Sequence, residues 1–509
     1  MKKLILILIL SGITASLARK KHRLQPQDQQ PWELSEESTC PDYSYYAYQK
    51  HPPYSSGKYQ LPYQRPVPAC RKFNLTEVED TISDMKQIIR DPDLFRLFEN
   101  CFPNTLDTAI AWKGIAAKGH GDEHYREDDY EEELTFITTG DIPALWLRDS
   151  SNQLLSYLPL LRPSSYSSNT SLASLYRGLI NLQARYILTS PHCNAFHAPP
   201  ESNLSLSLNP STSTDTGTGT TDYVYPSPDP STVFECKYEL DSLASFLHLS
   251  HAYHNATGDT LFFSCARNWV KAVDLILNVT AELQAGTYKE DGSVAFSPYQ
   301  FQRSTSTASE TLGNAGAGNP VRNGTGMVRS AFRPSDDACN YQLFVPGNMM
   351  YSTALERVAE GIVARIEGQV EKSARLKRMR EMAQGIKRGV EKFGRAEHWR
   401  YGRVYAYEVD GFGSHSMMDD ANIPSLLSAP LFGYVDRNDP IYQNTRRFVL
   451  SRENPYYMVG PVLIVQIMTS DDDAEIVNCL QQILSSTDGL GLMHESISSK
   501  SASIWTRQW

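Results

Sequence analysis

The chain has 509 residues, 41% hydrophobic and 21% charged, with a formal net charge of −10 at pH 7. That length can bury a substantial core in one large domain or two ordinary ones. Acidic and basic residues are interspersed, and a mildly acidic chain without a concentrated basic face argues against a nucleic-acid partner. The 28 tyrosines suit carbohydrate surfaces, where a sugar's apolar face lies on a ring with a polar tip, although ordinary core and surface positions account for most of them.

Residues 1–18 open with Lys2 and Lys3, continue through the apolar run Leu4 to Leu10, and end at the small-residue site Ser16-Leu17-Ala18. This is the pattern of a signal peptide; the run is short for a permanent membrane helix, with a signal anchor as the alternative. The expected destination is the secretory route and the extracellular space, without membrane association once the signal is removed. Retention along that route stays open. Eight cysteines agree with an oxidising destination, being even in number and widely spaced, with no CxxC pair to point to a zinc ribbon or thioredoxin motif. They are expected in disulfides, of open connectivity. Six N-x-S/T sequons, at Asn74, Asn169, Asn203, Asn255, Asn278 and Asn323, fit a glycosylated secreted protein. Residues 19–73, rich in Pro, Gln, Tyr and Ser, read as an extended arm that Cys40 and Cys70 are placed to pin.

From residue 74 to 509 the chain reads as one mostly helical domain with two polar insertions. Its first chemistry-bearing block is TGDIPALWLRDS (139–150). A helix starting here puts Trp146, Ser150, Gln153 and Tyr157 on one face, and that mixture suits a sugar subsite. Arg148 beside Asp149 is equally readable as a structural ion pair. Residues 199–231 are too rich in Ser, Thr, Pro and Gly to offset their ordering entropy, and predict a mobile loop open to O-glycosylation. In FECKYELDS (234–242), Leu240 joins Leu243 and Leu247 at helical spacing, leaving Tyr238, Asp241, Ser242 and Ser245 on another face. Glu235, Glu239 and Asp241 fall within seven residues. Neighbouring charge or burial raises a carboxyl pKa, which a general acid needs near neutrality. Acids gathered at a helix N-terminus for dipole reasons are the plainer alternative, and the better one on this block alone.

His248, His251 and His254 follow at i, i+3 and i+6. The face drifts, no acid joins at ligand spacing, and the Asn255 sequon argues for exposure, so no metal site is expected. Apolar positions from Leu261 to Leu283 are again helical, and residues 309–323 form a second, Gly/Asn-rich insertion of the same loop character. SAFRPSDD (330–337) supplies Arg333, Asp336 and Asp337. Leu355, Val358, Ile362 and Ile366 stripe a helix expected to be capped by Asn348. YEVDGFGSHSMMDDANIP (407–424) carries His415, Asp419, Asp420 and Asn422, and GLMHES (491–496) carries His494 and Glu495. Acids flanked by Asn, Ser and His bond vicinal hydroxyls well; calcium ligation is the alternative, though no EF-hand spacing occurs. Gly411-Phe412-Gly413 is an incomplete phosphate-binding pattern, and no G-x-S-x-G elbow occurs. Sustained period-2 strands are scarce. Helix after helix joined by polar loops predicts paired helices in a bundle or toroid.

Taken in order, DIPALWLRDSSNQ, KYELDSL, VRSAFRPSDDA, VPGNMM, YAYEVDGFGSHSMMDDANIP and GLMHES resemble glycoside hydrolase family 125, from about residue 74 to the C-terminus outside the two insertions. The blocks are long and unusual, and Asp-Ile-Pro-Ala-x-Trp-x-Arg-Asp-Ser alone is a specific signal. The resemblance implies an all-α (α/α)6 barrel and a metal-independent exo-α-1,6-mannosidase that inverts the anomeric centre. It implies no cofactor, and a mannose-containing oligosaccharide or glycan as substrate. It further implies Asp241 as general acid and Glu495 as general base, a pair that inversion keeps roughly 6.5–9.5 Å apart around the attacking water. Trp146, Arg148, Asp149, Arg333, Asp336, Asp337, His415, Asp419, Asp420, Asn422 and His494 match blocks that look like the family's mannose-binding lining. The family continues with a further helix past the block Thr506-Arg507-Gln508-Trp509, where this chain ends, so a barrel short of its last helix is expected. A mannan-binding protein that has lost catalysis is the rival from another class, and the presence of both Asp241 and Glu495 argues against it. Another (α/α)6 enzyme, a glucan hydrolase or a lyase, is the third reading, because mannose specificity rests on the resemblance. Oligomeric state is not legible.

Overall fold

The computed structural model describes residues 40–116, 131–140, 142–162, 171–204, 222–366, 372–420, 422–454, 464–498 and 501–508. The signal-peptide reading, the Asn169 sequon and the centre of the first insertion lie outside these residues. Counting helices of nine residues or more, α1 is Thr76–Ile88, α2 Pro92–Cys101, α3 Leu147–Leu155, α4 Leu172–Thr189 and α5 Leu240–Thr257. They continue with α6 Arg267–Glu282, α7 Val345–Val358, α8 Lys372–Phe393, α9 Pro440–Val449 and α10 Asp473–Ser485. No helix among the described residues is long and apolar enough to cross a membrane.

The helices from α3 to α8 alternate between two layers. Helix α5 packs against both α3 and α7, while α4 and α8 pack against α6 and α8 lies along α7. Burial reflects what covers each helix, and α4 is buried along nearly its whole length where the β1–β2 ribbon and α6 enclose it. Helices α5 and α7 are also covered on almost every side, polar residues such as Asp241, Ser242 and Asn348 included. Helix α8 buries only a stripe that includes Met379, Met382, Ala383, Ile386 and Val390. The predicted apolar stripe is present, with Leu355, Val358, Ile362 and Ile366 all fully buried. The helix changes pitch within it, from α7 into a π-type turn at Ala359–Val363.

Short strands set where the inner helices begin. Strands β1 (Ile110–Ile115) and β2 (Glu133–Ile137) form a ribbon under α4. Strands β3 (Leu145–Trp146), β4 (Ala195–Phe196) and β6 (Val233–Glu235) make one small sheet, with Trp146 opposite Ala195 and Ala195 opposite Glu235. This brings the start of α3 beside the start of α5. Strand β5 (Tyr223–Tyr225) pairs with β7 (Gln300–Gln302). Strand β8 (Leu343–Phe344) leads into α7 and pairs with β11 (Glu408–Val409), which pairs with β12 (His415–Ser416). A hairpin of β9 (Arg395–His398) and β10 (Gly402–Tyr405) follows α8, and β13 (His494–Ser498) pairs with β14 (Ser501–Gln508) near the end of the chain.

Several expectations need correction. Asn348 lies inside α7, whose first residue is Val345. Its side chain accepts the Val328 N–H and donates to the Val328 and Phe344 carbonyls, at 2.8–2.9 Å, so it braces a neighbouring loop and does not cap. Residues 309–323 are packed, not loose: Phe301 N–H bonds Gly316 O at 3.0 Å and Gln342 Nε2 bonds Ala317 O at 3.1 Å. Gly316 and Gly318 have positive φ, at 88° and 75°, and a Cβ on Gly318 would meet Gln342 Nε2 at 2.0 Å, so these two glycines reflect backbone shape and close approach. The described part of the first insertion includes β5, an ordered strand. Disulfides join Cys40 to Cys70 and Cys193 to Cys236, but Cys101, Cys265, Cys339 and Cys479 are thiols. The arm is anchored as well as pinned, since Arg65 bonds Asp107 at 2.7 Å and Ser55 Oγ bonds Asp93 at 2.5 Å.

Candidate active site

Arg148 is the second residue of α3 and Asp241 the second of α5. The Arg148 guanidinium donates from Nη1 to Glu239 Oε2 (2.5 Å) and Asp241 Oδ2 (2.9 Å), while Nη2 lies 3.5 Å from Asp149 Oδ2. None of the four is more than 2% exposed. Buried charges persist only when paired and hydrogen-bonded, and here one cation answers several acids. Burial raises Glu239 and Asp241 above the usual carboxylate range even though Arg148 pulls both down. Asp336 is raised by the same burial, against Lys237 and Arg148. The neighbouring Asp336 and Asp241 carboxyls add to burial in keeping Glu239 raised. Burial works against the Arg148 charge too, but Glu239, Asp149 and Asp241 outweigh it and hold the guanidinium firmly protonated.

The block before α5 is fixed by its own ions. Lys237 Nζ lies 3.3 Å from Glu235 Oε1 and 4.0 Å from Asp336 Oδ1. Burial disfavours the Glu235 charge, yet Lys237 and Arg303 together hold it below its ordinary pKa. Asn194 accepts the Lys237 N–H and donates to Glu235 and Asp336, beside the Cys193–Cys236 disulfide. Ser330 Oγ accepts the Leu240 N–H, one of the donors that a helix start leaves open.

A second group lies alongside. Arg333 Nη2 is 3.3 Å from Asp337 Oδ2, and its Nε is 3.9 Å from Glu408 Oε1. Glu408 Oε2 accepts the N–H groups of Asn340 and Tyr341, and burial pushes this carboxyl up to about 7. Cys339 feels both Glu408 and Asp241 electrostatically, so the two groups adjoin. Buried polar atoms are normally satisfied. Here Trp146 Nε1, Arg148 Nε, Asp241 Oδ1 and the hydroxyls of Tyr238 and Tyr407 have no hydrogen-bond partner among the described residues. Such a concentration fits a site shaped for water or for a ligand rich in hydroxyls.

The expected site residues are thus partly gathered. Arg148, Asp149, Asp241 and Asp336 share one cluster, with Trp146 beside it, packed edge-on against Phe234. Arg333, Asp337 and, through its charge, Asp420 belong to the second. Asp419 instead accepts the Leu426 and Leu427 N–H groups, with burial raising it to about 8, while Asp420 accepts two bonds from Asn422. These three shape their own turn, and Asp419 and Asp420 also act electrostatically on Tyr407 in the second group. His415 is exposed on β12 and makes no side-chain hydrogen bond or ion pair among the described residues. The proposed polar face of α3 is internal: Ser150 bonds Trp146 O, Gln153 bonds Thr138 O, and Tyr157, past the helix end, bonds Phe102 O. His494 is buried and stacks on Trp505 at 4.1 Å. Glu495 follows it on β13, and its side chain lies outside the described part of the structure. Among the described residues no group of His, Cys, Asp and Glu is arranged to hold a metal ion; burial lowers His248 and His251 to about 4. Glu239, Lys237, Asn194 and Glu408 were missed as site residues. For Glu239, Lys237 and Glu408 the excess of acids over bases within their blocks was the available signal, whereas the residues around Asn194 carry no acid.

Chemically, the cluster offers a carboxyl, Asp241, whose pKa burial raises, beside a fixed cation placed to meet the charge left when a proton departs. The sequence model of the metal-independent α-mannosidases, glycoside hydrolase family 125, matches residues 91–509. The chain is 44% identical over 499 residues to the meiotically up-regulated gene 157 protein of Schizosaccharomyces pombe, covering 94% of this chain and 90% of that one. A solved metal-independent α-mannosidase from Streptococcus pneumoniae, in a non-productive complex with α-1,6-mannobiose, is similar at TM-score 0.70 and 30% identity, covering 86% of this chain and 95% of that one. The chain therefore belongs to the metal-independent α-mannosidases of glycoside hydrolase family 125, and it is a glycoside hydrolase.

Proposed function

We propose that the protein is an exo-acting, inverting α-1,6-mannosidase on an (α/α)6 toroid. The carrying observation is Asp241: buried, raised in pKa, with Oδ2 on Arg148 and Oδ1 open. In the proposed reaction Asp241 gives its proton to the glycosidic oxygen as the C1–O bond breaks. Glu495 takes a proton from the water that attacks C1 from the opposite face. Arg148 then holds the Asp241 carboxylate, so charge developing on the acid is met by a preorganised partner. The alternating layers from α3 to α8 support the toroid, and the mannobiose bound by the Streptococcus pneumoniae relative supports the linkage. A mannose-containing oligosaccharide or glycan is the substrate class. Passage along the secretory route is supported by the two disulfides and by the exposure of Asn74, Asn203, Asn255, Asn278 and Asn323.

Incubation with α-1,6-mannobiose in the presence of a chelator, followed by NMR, tests this directly. β-Mannose as the first product, at a rate the chelator leaves unchanged, is expected. α-Mannose as the first product overturns inversion, and an intact disaccharide overturns the linkage assignment.

A further inference from the structure

We infer that the N-terminal arm is a working part of the active site, with Asn100 and Tyr48 acting as positioning residues for the segment that carries Glu495. The inference rests on Glu495 being the general base. It starts from the turn before β13. Asp488, Gly489 and Gly491 all have positive φ, at 49°, 71° and 67°. A Cβ on Gly491 would lie 3.1 Å from Asn100 Nδ2, 3.2 Å from Leu61 Cβ and 3.4 Å from Pro62 O. This turn therefore rests directly on the arm and on α2.

Asn100, buried in the last turn of α2, clamps the three segments. Its Nδ2 donates to Pro62 O at 3.0 Å and Gly491 O at 2.9 Å, and its Oδ1 accepts the Gln64 N–H at 3.0 Å. The adjacent Cys101 thiol takes the Met493 N–H. A ring stack adds a second hold: His494 lies on Trp505 at 4.1 Å, and Trp505 lies on Tyr48 of the arm at 5.3 Å. Trp505 Nε1 also donates to Asp488 Oδ2 at 3.1 Å, closing the stack back onto the turn. The backbone is thus held at Gly491 and Met493 and the ring at His494, immediately before Glu495. The arm can bear this load because it is fixed itself, through Arg65 on Asp107 and Glu79 and through the Cys40–Cys70 disulfide. A base must hold its water within a fraction of an ångström of the attack line, and this network sets where its backbone starts.

The test compares Tyr48→Ala and Asn100→Asp with the unaltered protein on α-1,6-mannobiose, reading kcat and KM across pH together with Tm. Asn100→Asp keeps the shape and removes both donors. Tyr48 is 55% exposed, so Tyr48→Ala keeps the test alive even where the buried change impairs folding. Both variants are expected to lose about tenfold in kcat or more, with KM within about twofold and the acidic limb of the kcat profile displaced. Tyr48→Phe restores the stack and the rate, and Tyr45→Ala, an exposed ring on the same turn, changes nothing. A lower Tm with kcat and the acidic limb unmoved overturns the inference. Glu495→Gln separates the two readings. If it retains turnover, the base assignment falls; if it is inactive while Tyr48→Ala is fully active, only the role of the arm falls.

Discussion

Arg148 is one guanidinium set among more carboxyls than it can neutralise, and it serves as countercharge and as brace. Removing it leaves Glu239, Asp241 and Asp149 buried without their cation. Arg148→Met is expected to cost about 3–5 kcal/mol, as for any buried ion pair broken from one side, read from urea denaturation. Arg148→Lys keeps the charge that meets Glu239 and Asp241 but loses the second nitrogen beside Asp149, so it is expected to recover only part of that stability. Asp241→Asn has the opposite signature. It removes a group whose ionised form burial already disfavours, so stability stays close to that of the parent protein. Turnover is expected to fall by about 10²–10⁴-fold, the span of a lost general acid, while calorimetry still detects mannobiose binding. An Asp241→Asn protein with full hydrolysis would remove the acid assignment.

At the scale of elements, helices are placed by what stands beside them as much as by their own pattern. Helix α4 crosses the β1–β2 ribbon so closely at Gly178 that a Cβ there would meet Thr135 Oγ1 at 2.2 Å and the Leu134 backbone at 2.9 Å. Gly178→Ala gains helix propensity yet is expected to destabilise by about 1–3 kcal/mol, the usual cost of overpacking, seen as a lower Tm. Had propensity governed this position, Tm would rise instead. The same logic limits what the sequence reveals. The apolar stripe from Leu355 to Ile366 was legible because burial obeys its period. The start of α7 was not, because β8 pairing with β11 decides it and leaves Asn348 within the helix as a brace. The Gly-rich residues 309–323 looked mobile because composition records missing side chains, not the neighbours that pack into the vacated space. The site was legible as blocks but not as a cluster. Arg148 meets Glu239 from 91 positions away, and Asn194 meets Asp336 from 142, distances over which local pattern carries no information.

For the molecule as a whole, a net charge of −10 hides how its acids are divided between water and core, and that division sets how stability responds to pH. Asp419 at about 8 and Glu408 at about 7 both stand above their unfolded values because burial penalises the charge. A raised carboxyl binds its proton more tightly in the folded state. Its contribution is therefore complete below the unfolded pKa, near pH 4, and is lost as pH rises through the folded value. Each such group can tilt the stability curve by at most about 1.4 kcal/mol per pH unit. Glu235 and Glu475 lie below their ordinary values and act in the other sense, losing their contribution as pH falls into the acid range. The expected optimum is mildly acidic, with stability declining from about pH 5 to pH 8. Asp419→Asn isolates one part of that slope. Its amide oxygen can still accept the Leu426 N–H (2.8 Å), but its amino group faces the donor on Leu427 (3.3 Å), so the variant starts from lower stability. The informative quantity is the slope, not the level. Urea midpoints measured between pH 5 and pH 8 are expected to fall less steeply in the variant, and parallel curves would show that Asp419 is already ionised in the folded protein throughout that range.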